Sequence, residues 1–355
     1  PLPRPAPPSL RSQLSNVMKI RWSYVLAGGV LVTLAGLLVR EVVANHGVDE
    51  GLYDFAVSDT AAVTRIVIWD KSPDTATLER KGVQWMVNGQ YIARHDAIEV
   101  ILETLYRVRL RNFPQAAAQQ TILSAMATYG KRVEVYQGDA LVKSFIVGTE
   151  TPDMLGTYML MDGYDTPVAT YLPGFNGYLS SRFFLREDLW RTRELWPNPT
   201  EMSAITLVYP DSTFLEVQRN GAQFRLVGGS GSGMTADPMA SQALYKAVQQ
   251  AQYEGMIIPS DLVWRKKDSI AATQPVAIVT VHYADGENAE MRLFHVPGGP
   301  DILDENGQPE QWDPDRFYAL MSDGRFVLAQ RYGLQHVLKS FRAFLPKGDP
   351  TQMQD

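Results

Sequence analysis

The chain has 355 residues, a length that suits about two domains, and its 45% apolar and 20% charged residues exclude wholesale disorder. It contains no cysteine, which excludes a disulfide scaffold, a thiolate metal site and a cysteine nucleophile. A net charge of −6 argues against a general nucleic-acid binder, so no nucleic acid is expected as a partner.

Residues 1–21 read as a Pro-rich basic tail, with Arg4, Arg11, Lys19 and Arg21 and no acidic residue before Glu41. An uncharged run from Trp22 to Val39 follows, bounded by Arg21 and Arg40. As a helix it spans roughly 27 Å, enough for a hydrocarbon core, so residues 22–40 are expected to form one transmembrane helix. Trp22 and Tyr24 fall where amphipathic rings favour the interface, and the basic flank assigns the tail to the cytoplasmic side. Gly29, Thr33 and Gly36 lie near one another on such a helix and permit close packing against a partner helix. A cleaved signal peptide beginning near Met18 is the alternative, but no clean small-x-small cleavage site follows the run. With the anchor, everything after it lies outside the cytoplasm. All 39 acidic residues fall there, whereas Arg4, Arg11, Lys19, Arg21 and Arg40 are withdrawn from its basic complement.

After a linker over 41–61, the pattern predicts an α+β module at 62–188. Val63–Trp69 is a strand, and Thr75–Arg80 with Val83–Val87 forms a hairpin about Lys81-Gly82. Ala97–Val108 carries Ile98, Ile101, Leu102 and Leu105 on one helical face, and a second helix covers Gln119–Ala127. Strands Val133–Gln137 and Leu141–Val147, then Tyr158–Met161 and Val168–Leu172, flank Gly-containing turns, and a closing helix is expected at Phe175–Phe184. A linker at 189–202 leads to a second module at 203–345, in which the same order recurs. Ala204–Tyr209 is a strand, and Thr213–Gln218 pairs with Gln223–Val227 about Asn220-Gly221, a dipeptide suited to a type I′ turn. Met239–Gln250 is helical; Val276–Tyr283 with Glu290–Val296 and Phe317–Met321 with Phe326–Ala329 follow; Leu334–Phe344 closes the module, and residues 346–355 form a tail. The growing spacing between matching turns places insertions at Gly228–Gly233, read as a flexible surface loop, and at Pro297–Asp313. The whole is an α+β chain: one N-terminal transmembrane helix, then two similar modules of antiparallel strands with packed helices.

No complete catalytic motif is present. The Gly228–Gly233 run lacks the Gly-Lys-Ser/Thr ending of a phosphate loop. His282 and His295 fall on one predicted hairpin, but two imidazoles are too few for a metal site, and Asp301–Gly307 misses calcium-loop spacing. No catalytic residue, cofactor or metal is therefore expected. The aromatic segment around Phe175, Tyr178, Trp190 and Trp196 is read as interdomain packing or a protein-binding surface.

The apolar run, Val63–Ile68, the helix Ala97–Arg109 and above all Thr77-Leu78-Glu79-Arg80-Lys81-Gly82-Val83-Gln84-Trp85-Met86-Val87 carry a family resemblance; Phe214–Phe224 repeats that pattern more weakly. The chain resembles a bacterial domain-of-unknown-function family of membrane-anchored, duplicated α+β extracytoplasmic proteins, often encoded beside ABC transporters of the gliding-motility type. The likeness covers most of Val63–Leu345 and supplies no active-site residues. The single span, the duplicated modules and the missing chemistry point to a non-enzymatic accessory or assembly subunit of an envelope complex, and the resemblance suggests association with an ABC-type transporter. The subunit would sit single-pass in the inner membrane with periplasmic modules, its partners being integral membrane proteins and the lipid bilayer. The alternative is a two-module receptor that binds a ligand in a cleft between the modules.

Overall fold

The computed structural model describes residues 28–37, 49–198, 200–211, 213–228 and 231–346. The basic tail, Trp22, Tyr24 and the residues beyond Pro346 lie outside them. Helix α1 occupies residues 28–37 and carries Gly29, Thr33 and Gly36. The Thr33 hydroxyl donates to the carbonyls of Gly29 and Val30 at 2.9 Å, and Val30, Leu31, Val32, Leu34 and Leu37 are exposed. Among the described residues no helix is long and apolar enough to cross a membrane.

The rest is α+β and built on two nine-stranded antiparallel sheets. The first comprises β1 (Arg65–Trp69), β2 (Thr75–Lys81), β3 (Gln84–Val87), β4 (Tyr91–Ile92), β5 (Arg109–Asn112), β6 (Lys131–Gln137), β7 (Ala140–Glu150), β8 (Thr157–Met161) and β9 (Val168–Tyr171). Helices α2 (His95–Arg107) and α3 (Ala116–Tyr129) flank β5 in the chain. The second comprises β10 (Met202–Val208), β11 (Phe214–Asn220), β12 (Gln223–Gly228), β13 (Gly231–Thr235), β14 (Gly255–Met256), β15 (Ala277–Tyr283), β16 (Asn288–Pro297), β17 (Trp312–Met321) and β18 (Phe326–Gln330). Its helices are α4 (Pro238–Gln250), α5 (Lys267–Ala271) and α6 (Arg331–Leu334).

The two sheets follow one path. The first runs β4-β3-β2-β1-β6-β7-β8-β9-β5 and the second β13-β12-β11-β10-β15-β16-β17-β18-β14. The register agrees as well. Ile66 and Ile68 stand opposite Leu78 and Ala76 on one side and Val135 and Val133 on the other. Ile205 and Leu207 stand opposite Val217 and Leu215, and Val281 and Val279. Further along, Phe145 faces Met161 as Met291 faces Met321. All these side chains are buried, so the period-2 alternation of each strand sends the same positions inward in both sheets.

Each sheet is covered on two faces. Ala97, Ile98, Ile101 and Leu105 form the apolar stripe of α2 and share the buried core with Phe145 and Val147. The intervening Ile146 and Gly148 point the other way, against α3, where a side chain on Gly148 would strike Met126 at 2.8 Å. In the second sheet Leu244, Tyr245 and Val248 of α4 join Leu293, whereas Phe294 on the opposite face joins Phe326, Ile257 and Trp264 beneath α5. Asp237 caps α4 by accepting from the Ala240 amide at 2.8 Å, with Pro238 in the first turn.

Three expectations need correction. The Gly228–Gly233 run is not loop throughout: among the described residues Gly228 ends β12 and Gly231–Thr235 is β13, registered on β12 through Arg225–Thr235, Leu226–Met234 and Gly228–Gly231. Met234 of β13 packs against the second core. The closing helix at Phe175–Phe184 reduces to a 3₁₀ turn at Ser180–Arg182, because Gly174 adopts φ +81° and the Leu179 amide donates to the Thr157 hydroxyl at 2.6 Å. Leu334–Phe344 likewise is no continuous helix: α6 ends at Leu334 and a 3₁₀ turn covers Phe341–Phe344, although Leu334, Val337, Phe344 and Leu345 are all buried as the apolar pattern suggests. The Pro297–Asp313 insertion is present as the long link between β16 and β17, residues 298–311, where β7 and β8 need only residues 151–156.

Candidate functional site

Between the sheets the chain passes through residues 190–196, and its backbone bonds to both sides. Toward the first sheet, the Arg94 amide donates to the Trp190 carbonyl and the Thr192 amide to the Ile92 carbonyl, each at 2.7 Å. Toward the second, the Leu195 amide donates to Ala251 at 3.0 Å and the Tyr253 amide to Arg193 at 2.9 Å. The Tyr253 hydroxyl donates to the Thr192 carbonyl at 2.9 Å, and burial pushes that phenol's pKa up. The linker is thus a short extended strand joined to both modules.

Arg325, the last residue of the β17–β18 turn, completes the junction. Its Nη1 and Nη2 donate to the carbonyls of Glu194 and Leu195 at 2.9 and 2.7 Å, and Nε donates to Asp323 Oδ2 at 2.6 Å. The residue is 9% exposed. A planar fork of donors suits two neighbouring carbonyls in a way that an ammonium group does not.

Beside this strand lies a cleft of about 570 Å³ between the modules. Tyr91 and Ile92 form one wall; Met256, Ile257, Trp264 and Phe326 form the other. Its charged residues have partners in or beside the cleft. Glu187 accepts from Asn88 at 2.9 Å and faces Arg191 at 3.6 Å; Asp188 pairs with Arg186 at 2.7 Å. Arg191 stacks on the Tyr91 ring at 3.4 Å, and Lys267 sits 4.6 Å over Trp264.

The aromatic residues singled out from the sequence separate here. Trp190 is fully buried in the first core, edge-on to Phe184 at 5.0 Å, its Nε1 donating to the Phe184 carbonyl at 3.0 Å. Trp196 is buried in the second core. The two rings flank the junction strand but belong to different cores, so they do not form a shared interdomain stack. Phe175 is exposed beneath the Arg182 guanidinium at 4.2 Å, and Tyr178 is half-buried.

One polar array escaped the sequence reading because its members are scattered along the chain. Thr206 Oγ1 lies 2.9 Å from His282 Nε2, and His282 Nδ1 lies 2.7 Å from Asn288 Oδ1. Hydroxyl, imidazole and amide in this order can activate a nucleophile. Here Thr206 is 9% exposed and donates to Glu216 at 3.2 Å, so the array stitches β10, β11, β15 and β16 together. The other motifs are accounted for locally. His295 stacks on Trp312 at 4.9 Å and stands opposite Phe317, away from His282, while exposed His95 pairs with Glu99 at 3.0 Å. Asp304 accepts from the amides of Asn306 and Gln308, which holds its carboxyl below the usual range and closes the 301–307 turn. Among the described residues no three His, Asp or Glu side chains converge as metal ligands.

A second surface forms where the chain leads into the first module. Asp49 accepts from the Tyr164 hydroxyl at 2.8 Å and the Gly51 amide at 2.9 Å, which lowers its pKa, and Lys143 pairs with Asp54 at 2.7 Å. Phe55 and Val57, within the stretch read as linker, are buried in the first core, and the Val57 amide donates to Leu105 at 2.9 Å. This lead-in borders an open hollow of about 980 Å³ lined by Tyr53, Tyr106, Val108, Arg109 and Leu110. Comparisons with protein-family models, curated proteins and solved structures return no match.

Proposed function

We propose that this chain is a non-enzymatic, membrane-anchored extracytoplasmic subunit that helps assemble or support an inner-membrane protein complex. The uncharged run from Trp22 to Val39 with its basic flank supports the anchor and, with it, periplasmic modules. The resemblance carried by Leu78–Val87 and its weaker copy at Phe214–Phe224 supports a complex of the ABC-transporter type. The observation that carries the reading is the junction. Two modules of one topology are fastened by backbone bonds and the Arg325 fork, and the charged groups between them have partners in or beside the cleft. Such a body offers contact surfaces to partners rather than a reactive centre.

The test is gentle detergent extraction from native membranes, followed by mass spectrometry of what travels with the chain. Stoichiometric integral-membrane partners, ABC transporter subunits among them, are the expected result. A lone monomer across several mild detergents overturns the proposal.

The cleft favours a second reading, a ligand receptor, because its apolar walls and volume suit a small ligand. The hydrogen-bonded linker opposes hinge closure around such a ligand. Thermal stabilisation by a sugar or peptide library supports this reading; a null screen across both classes removes it.

A further inference from the structure

The geometry points to a lipid-facing edge on the first module: strand β5, with the loop between β7 and β8, rests on the phospholipid headgroups beside the anchor. This inference rests on the reading of the apolar helix as a membrane anchor.

Edge strands are the starting point. β14 and β5 hold the same place in their sheets, each bonded on one side only, to β18 and β9. Beside β14, Glu194 of the linker bridges Gln252, and the cleft places the first module's Tyr91 and Ile92 opposite Met256 and Ile257. Beyond β5 no strand is hydrogen-bonded among the described residues; the lead-in around Tyr53 borders it only across an open hollow, and an open edge needs a cover.

The composition of this edge suits the headgroup zone. Tyr106, Phe113, Met154 and Leu155 are exposed, and Tyr53 meets the Phe113 ring edge-on at 6.4 Å. Arg107, Arg109 and Arg111 recur at alternate positions. Glu103 neutralises the first and Asp153 the third. Arg109 is bonded to the carbonyls of Tyr106 and Val108 and has no carboxylate partner among the described residues, so its charge remains for a phosphate. Aromatic rings, short apolar tips and an arginine with an apolar stem are the side chains that settle at a membrane surface.

The tether decides the occupant. The lead-in that borders β5 is pinned at Asp49 and Asp54. Only residues 38–48 separate it from the helix at 28–37, and a chain of that length reaches at most about 40 Å. The lead-in and the edge beside it are thereby kept within reach of the bilayer surface.

The absence of cysteine makes single-site labelling direct. The full chain, carrying Phe113→Cys, Leu155→Cys, Val83→Cys, Tyr332→Cys or Val32→Cys labelled with NBD, is reconstituted into phosphatidylethanolamine/phosphatidylglycerol vesicles. A spin-labelled headgroup lipid serves as quencher. All five positions are exposed, and circular dichroism checks that each variant folds. Labels at 113 and 155 should be blue-shifted and quenched about threefold more than labels at 83 and 332, with the Arg109→Glu variant reducing the difference. If 113 and 155 behave like 83 while 32 is quenched, the anchor stands and the lipid-facing edge falls. An unquenched label at 32 removes the anchor and this inference together. Blue shifts at 113 and 155 that vanish on diluting protein into excess lipid, without quenching, assign the edge to a second copy and overturn the proposal.

Discussion

Asp153 shows how one exposed carboxylate ties an edge strand to its neighbouring loop. The Arg111 guanidinium donates to both its oxygens, at 2.9 and 2.6 Å, and the Thr151 hydroxyl and Leu155 amide add two more donors. Arg111 is the largest cause, and together these groups hold the carboxyl far below its ordinary value of 3.8. The sign follows from linkage. A carboxyl whose folded pKa is depressed contributes stability that is fully present above 3.8 and is lost as pH falls toward its folded value. Asp153→Asn should therefore lower the urea midpoint at neutral pH and flatten its fall below pH ~4, where the wild-type advantage is lost. Urea titrations of both proteins between neutral and strongly acid pH measure this; parallel acid limbs would show that the pair contributes nothing. The Arg109–Asn112 segment was not legible as a strand in the sequence. It is short, it follows directly on a helix, and its pairing to β9 depends on residues about sixty positions away. Arg325 was equally hidden, because its partners are linker carbonyls that no residue pattern marks.

At the scale of elements, the alternation of apolar residues revealed most strands and the repetition of their order. The mechanism is plain: each core pair such as Ile66–Leu78 or Ile205–Val217 needs apolar residues at a period of two. Short or Gly-rich strands such as β4, β13 and β14 carry too few side chains to show a period, and the closing segments pack as irregular turns. The hairpin glycines give a quantitative test of equivalence. Gly82 and Gly221 both adopt φ +63°, and an added Cβ would meet nothing within 4 Å at either. Substitution by Ala then costs only the left-handed backbone preference, about 1–2 kcal/mol, and the cost should be the same in both modules. Chemical denaturation of Gly82→Ala and Gly221→Ala measures it. A difference well beyond 1 kcal/mol would mean that the two turns differ in a way their dihedral angles conceal.

The molecule as a whole depends on whether the junction strand transmits stability. Two cores, one centred on residues such as Ile66 and Phe145 and the other on Ile205 and Leu293, are each large enough to unfold alone. They share a strand whose amides and carbonyls are bonded in both directions, so opening one module strands buried groups of the other. Each such group costs about 1–3 kcal/mol when left unpaired. The wild-type sheets should consequently lose amide protection together. Thr192→Pro removes the donor to Ile92, and Arg325→Met removes two donors to the linker without touching the backbone. Both variants should let the β1–β9 and β10–β18 sheets exchange separately, with the second sheet the more weakened by Arg325→Met because the arginine belongs to it. Hydrogen exchange followed by mass spectrometry resolves the two sheets peptide by peptide. If the wild-type sheets already exchange independently, the junction is a tether and not a brace, and a cleft that closes by hinge motion regains its footing. Coincident loss in both variants would instead mean that the modules are coupled through contacts other than this strand.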